Sequence, residues 1–160
     1  MADQVAILLV EDDEKYALAM CAALERVPVP KLVHVARDGL EAMAYLNGEA
    51  KYADRSAYPQ PSLVVLDLNL PGIDGLELLR WIRKHPQLKT LRVVMLTASH
   101  NPRDSSAAYK LGANSYLTKP TDLNEAVPML ARLLIPVVPK ATSPILPPTP
   151  PSDEIDTTSN

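Results

Sequence analysis

Leu63-Val64-Val65-Leu66-Asp67-Leu68-Asn69-Leu70-Pro71-Gly72-Ile73-Asp74-Gly75 packs a strand, a charge and a helix start into one short stretch. Leu63–Leu66 is an unbroken apolar run, the pattern of a strand buried on both faces. The run ends on an acid, Asp67. Asp74, with Glu77 three residues later, has the spacing of a helix N-cap and its partner, and the helix they open runs to about His85, before Pro86. In open α/β sheets the functional crevice lies beyond the carboxyl ends of the strands, so an acid in that position is a candidate functional group.

The same alternation recurs on either side. Val5–Val10 is a continuous apolar strand, and residues 14–27 place Tyr16, Met20, Leu24 and Val27 at helical spacing. Leu32–Ala36 is a second strand. Asp38 and Glu41 open a helix that stops at Asn47-Gly48, and a Pro-containing loop, 49–61, leads back to Leu63. Leu91–Leu96 is a fourth strand. Asn101-Pro102 starts a fourth helix with proline at its tolerated first position, and Gly112 closes it. Ser115–Thr118 is a fifth strand and 122–135 the last helix, with Pro128 inside it and a kink expected there. Five strands alternating with five helices give an α/β fold, a parallel sheet with right-handed crossovers and helices on both faces.

The sequence has 160 residues, 47% of them hydrophobic, with no Phe and a net charge of -3. That balance argues against a nucleic-acid-binding surface, which is usually basic. No stretch reaches the roughly 20 apolar residues that span a bilayer, and the N-terminus lacks the pattern of a secretory signal, so a cytoplasmic protein is expected. Cys21, among alanines, reads as core packing. Composition shifts near Ile135: residues 136–160 hold seven of the sixteen prolines and no apolar periodicity after Val138. The expectation is a folded domain over 1–135 and a Pro-rich disordered tail over 136–160.

Chemistry gathers at the strand ends. The first strand ends in Glu11, Asp12 and Asp13, the third in Asp67, the fourth in Thr97, and the fifth runs into Lys119. Clustered carboxylates raise one another's pKa unless a cation sits among them, and a few oxygens with open water positions suit Mg²⁺. An aspartate can act as nucleophile and take a phosphoryl group. Transfer then depends on in-line positioning and on neutralising the equatorial oxygens. Mg²⁺ can serve one oxygen, Lys119 a second, and the Thr97 hydroxyl with the backbone N–H of Ala98 the third. Asp13, which immediately precedes a helix, reads as a cap rather than a ligand.

Four segments carry a family resemblance over about 1–135: Ile-Leu-Leu-Val-Glu-Asp-Asp (7–13), the stretch 63–75, Val-Val-Met-Leu-Thr-Ala (93–98) and Tyr-Leu-Thr-Lys-Pro (116–120). They resemble the receiver domain of two-component response regulators. The resemblance implies a flavodoxin-like, doubly wound five-stranded sheet of order 2-1-3-4-5 with five helices. It implies that Asp67 is the phosphoacceptor and that Glu11 and Asp12, with Asp67 and the backbone carbonyl of Asn69, hold Mg²⁺, with Mn²⁺ able to substitute. It makes Lys119 the phosphate-binding lysine, gives a cis Lys119–Pro120 bond, and makes Thr97 and Tyr116 a switch pair beside the face of the fourth helix, fifth strand and fifth helix.

The partners implied are a sensor histidine kinase or a histidine phosphotransfer protein. The segment 46–61, with Asp-Leu-Asn-Leu-Pro-Gly and His-Pro-Gln-Leu, is similar to the small regulators paired with phytochrome-type kinases. No second core or basic recognition helix follows the domain, so output through a protein partner or a homodimer is expected, rather than DNA binding. A phosphatase with an Asp-x-Asp nucleophile fits less well, because position 69 is Asn. A flavodoxin-type FMN site fails because three acids follow the first strand where a phosphate loop would lie. A receiver-like scaffold that is never phosphorylated is the remaining alternative.

Overall fold

The computed structural model describes residues 4–134. The tail expected over 136–160 lies outside them. In chain order the elements are β1 (Val5–Val10), α1 (Glu14–Glu25), β2 (Lys31–Ala36), α2 (Gly39–Asn47), β3 (Leu63–Leu66), α3 (Gly75–Lys84), β4 (Arg92–Thr97), α4 (Pro102–Leu111), β5 (Ser115–Thr118) and α5 (Leu123–Leu134). The five strands are all parallel, in the order β2-β1-β3-β4-β5. This is the doubly wound, flavodoxin-like arrangement that the family resemblance implies.

Alternation along the apolar runs explains why they are unbroken, since successive side chains point to opposite faces. Leu8, Val10, Val64, Leu66, Val93 and Met95 pack with Leu46 of α2, Leu78, Leu79 and Ile82 of α3, and Ala108 of α4. The intervening Ile7, Leu9, Val65, Val94 and Leu96 pack on the other face with Met20 and Leu24 of α1 and Leu130 and Leu134 of α5. Truncating one of these, such as the fully buried Leu79 to Ala, costs about 2–5 kcal/mol.

The predicted caps are present. Asp13 accepts from the backbone of Lys15 and Tyr16, Asp38 from Glu41, and Asn101 from Arg103. Asp74 and Glu77 form a reciprocal capping box. Glu41 does not: its carboxylate takes the N–H of Arg37 (2.9 Å) and the Tyr52 hydroxyl (2.7 Å) instead. Gly48 and Gly112 end α2 and α4 in the left-handed conformation. α5 carries Pro128 in its interior and continues on both sides of it.

The segment expected to be a loop, 49–61, is more ordered than its composition suggests. It contains a short 3-10 helix, Ala50–Ala53. Arg55 donates to the carbonyls of Tyr45 (2.8 Å), Leu46 (2.9 Å) and Tyr58 (3.0 Å), which satisfies the open C-terminus of α2. Tyr45, Tyr52 and Tyr58 then close around His34 of β2, with ring centroids 4.8, 5.4 and 5.5 Å from the imidazole. These edge and tilted contacts are the favourable aromatic geometries.

Candidate functional site

Hydrogen bonding beyond the strands carries the functional residues to the sheet's carboxyl edge. The N–H of Glu11 donates to Ala36 O (2.9 Å), that of Asp67 to Val10 O (3.1 Å), and that of Lys119 to Thr97 O (2.8 Å). Each polar side chain is therefore the first one past the end of its strand. Gly75 sets the floor of the same crevice. Its N–H donates to Leu68 O at 2.8 Å, and a Cβ there would collide with the Asp67 carbonyl oxygen. Only glycine lets α3 begin this close to the main chain of Asp67. Gly72, at φ 73°, has open space where a Cβ would stand.

The carboxylates of Glu11, Asp12 and Asp67 present oxygens within 4.8 Å of one another. Glu11 and Asp67 are buried and Asp12 is exposed, so the cluster opens to solvent on one side. Lys119 Nζ reaches into it, 2.8 Å from Glu11 Oε1 and 3.1 Å from Asp67 Oδ2. Burial raises the Glu11 pKa; the bonds from Lys119 and from the Asp13 N–H work the other way, and the Asp67 charge adds to the rise. For Lys119, burial opposes the charge, but hydrogen bonds to Glu11 and Asp67 outweigh it and raise its pKa. One ammonium thus faces two buried carboxylates, with a third at the mouth. That excess of hard oxygen donors, one of them solvent-facing, suits a divalent cation that keeps part of its water shell.

Not all of the other predicted residues are joined to this cluster. Asn69 donates its N–H to Asp67 Oδ1 at 3.3 Å. Thr97 is fully buried, and its hydroxyl accepts from the N–H of Ser99 (3.2 Å). Ser99 in turn donates to Asp104 of α4. Tyr116 is partly buried against the α2–α4 side of the sheet, and its N–H donates to the Tyr109 hydroxyl (3.1 Å). The Tyr116 hydroxyl is buried and makes no hydrogen bond among the described residues; burial raises its pKa. Asp13 points away as a cap, as expected.

A profile of the "Response regulator receiver domain" family matches residues 7–131. The chain belongs to this family. Response regulator Rcp1 of Synechocystis sp. is 41% identical to this receiver domain over 124 residues, 78% of this chain and 82% of Rcp1. Among solved structures, the phosphorylated cyanobacterial phytochrome response regulator RcpA superposes with a TM-score of 0.75 at 39% identity, covering 82% of this chain and 92% of that one. The Mn²⁺-bound form of Rcp1 gives 0.73 at 38% identity over 88% and 99%. The chain is thus the receiver domain of a two-component response regulator, and Glu11, Asp12 and Asp67 fit the divalent-metal site of that family. Among the described residues no helix is long and apolar enough to cross a membrane.

One member of the receiver's crevice is read from the sequence only as a core position. Tyr16, in the first turn of α1, lays its ring under the Lys119 ammonium, 4.4 Å from centroid to Nζ. Its hydroxyl donates to the Pro120 carbonyl at 3.3 Å. Helical spacing places Tyr16 on the inner face of α1 but says nothing of which loop that face meets.

Proposed function

We propose that Asp67 accepts a phosphoryl group from a phosphohistidine on a sensor kinase or phosphotransfer protein. A carboxylate oxygen of Asp67 forms the new bond to phosphorus as the histidine nitrogen–phosphorus bond breaks, and the nitrogen keeps that electron pair. The observation that carries this reading is the ammonium of Lys119 held at 3.1 Å from Asp67 in a crevice open at Asp12. In this reading Lys119 neutralises one equatorial oxygen, and the Thr97 hydroxyl and the Ala98 N–H donate to another. Glu11, Asp12, Asp67 and the Asn69 carbonyl would hold Mg²⁺, which when bound offsets negative charge on the transferring group. A cis Lys119–Pro120 bond belongs to the same reading.

The receiver is then a phosphoacceptor that assists its own modification, not a turnover enzyme. Phosphorylation biases a two-state domain through Thr97 and Tyr116. The buried Tyr116 hydroxyl near Ser99 and Asp104, unpartnered among the described residues by hydrogen-bond geometry, supports a change centred on α4, β5 and α5. That face would contact a protein partner or a second copy, without nucleic acid, in the cytoplasm. Likeness to phytochrome response regulators supports a bacteriophytochrome-type kinase as donor.

Intact-mass measurement after incubation with acetyl phosphate tests the reading. One phosphoryl increment that requires Mg²⁺ and vanishes in Asp67→Asn is expected. No increment in the folded wild type, with or without Mg²⁺, would favour a scaffold that is never phosphorylated.

A further inference from the structure

Among the described residues the ammonium of Lys119 meets three charged or aromatic partners, two of them acids. The third is the face of Tyr16, at 4.4 Å from the ring centroid. A cation over an aromatic face is attracted by the ring quadrupole, more strongly where water is partly excluded, as it is around this half-buried ring. The geometry is over-determined at both ends. At one end, the Asp13 cap accepts the N–H groups of Lys15 and Tyr16 (3.0 and 3.3 Å), which fixes the first turn of α1. At the other, the Tyr16 hydroxyl donates to the carbonyl of Pro120, the residue after the lysine. Burial, with the nearby Glu11 and Asp67 charges, pushes the Tyr16 phenol up to about 12, so the hydroxyl keeps its proton and stays a donor.

We propose that Tyr16 is a positioning residue for phosphoryl transfer, its ring holding the Lys119 ammonium at the acceptor and its hydroxyl pinning the turn between β5 and α5. The inference rests on the phosphoacceptor reading of Asp67. Without the ring, the ammonium is held by carboxylates alone, and those carboxylates are the groups that exchange partners when a phosphoryl group and a cation arrive. The aromatic contact is the partner of the ammonium, among these three, that such an exchange leaves unchanged.

The test compares wild type, Tyr16→Phe, Tyr16→Leu and a variant with trifluorophenylalanine at position 16, which keeps the ring's shape but strips its negative face. Two readouts are taken: the rate of Mg²⁺-dependent phosphoryl uptake from acetyl phosphate, and the proton shift of the Lys119 ε-methylene without any phosphodonor. An upfield ring-current shift is expected in wild type and Tyr16→Phe and not in Tyr16→Leu. Tyr16→Phe should phosphorylate within about twofold of wild type, whereas the leucine and trifluoro variants slow by about three- to tenfold. Equal rates for the phenylalanine and trifluoro variants, both folded, would reduce Tyr16 to packing and overturn the proposal. So would absence of the upfield shift in wild type, whatever the mass shows. If wild type shows the shift but never gains a phosphoryl group, the phosphoacceptor reading fails and this role falls with it, while the contact itself is established.

Discussion

The crevice at Asp67 and the tyrosine cluster at His34 both bury titratable side chains against the same sheet, and they are stabilised in opposite ways. In the crevice, Glu11, Asp67 and Lys119 face one another as ions, with contacts of 2.8 and 3.1 Å. Under the 49–61 segment, burial lowers the His34 pKa, with Lys51 assisting and Glu41 opposing. The imidazole Nε2 is buried there without a hydrogen-bond partner among the described residues, and three rings enclose it. A set of ions with more acid than base can be rearranged by an arriving cation or phosphoryl group. A neutral ring among rings has nothing to exchange, so it holds the chain in place. On the proposed reading, the contrast separates a part of the receiver built to change from a part built to stay.

The largest effect is expected from Lys119→Met, which leaves two buried carboxylates facing each other. Phosphoryl uptake should fall at least about a hundredfold, and the unliganded protein should lose about 3–5 kcal/mol in urea unfolding. Added Mg²⁺ should stabilise this variant more than wild type; equal stabilisation would mean that the cation does not enter among these acids. Tyr45→Ala, at a side chain 3% exposed, should cost a similar 3–5 kcal/mol by leaving a cavity. Its uptake of phosphoryl should remain within about twofold of wild type, and a large loss of uptake would break the division between the two regions.

Arg55→Ala removes the donors to the carbonyls of Tyr45, Leu46 and Tyr58, and about 1–3 kcal/mol should be lost. Hydrogen exchange should then accelerate in 49–61 and not at the strand ends near Asp67. The smallest effect concerns pH. The unfolded chain binds a proton at His34 near 6.5, and the folded chain binds it at lower pH. Stability contributed by neutral His34 is therefore full above about 6.5 and is lost as the pH falls toward the folded value. His34→Phe should flatten the stability curve between about pH 7 and 5, by less than about 1 kcal/mol because the ring is partly open to solvent. An unchanged slope would show that the cluster does not hold His34 neutral.

Much of this was legible beforehand because it depends on local rules. The runs Leu63–Leu66 and Val5–Val10, the caps at Asp13, Asp38, Asp74 and Asn101, and the glycine stops at 48 and 112 each depend on a few adjacent residues. The convergence of Glu11, Asp12, Asp67 and Lys119 follows from their positions at the strand ends. The tyrosine cluster was not legible, since Tyr45, Tyr52 and Tyr58 share no period and meet His34 only after Arg55 folds the loop back. Glu41 was misplaced for a related reason. Its spacing from Asp38 fits a cap partner, but the N–H of Arg37 and the hydroxyl of Tyr52 draw its carboxylate elsewhere. Tyr16 showed a helical face but not the turn it would meet.

The two glycines flanking Ile73 and Asp74 have different evolutionary freedom. At position 72 the left-handed backbone needs a residue that accepts φ near 73°, and the space beyond is empty, so Asn or Asp can be sampled by drift at modest cost. At position 75 a single added carbon would strike the main-chain carbonyl oxygen of Asp67. A saturation library covering both codons should therefore return several residues at 72 and one at 75. The crevice can thus evolve new tuning through its side chains while the backbone seat of Asp67 stays the same from one descendant to the next.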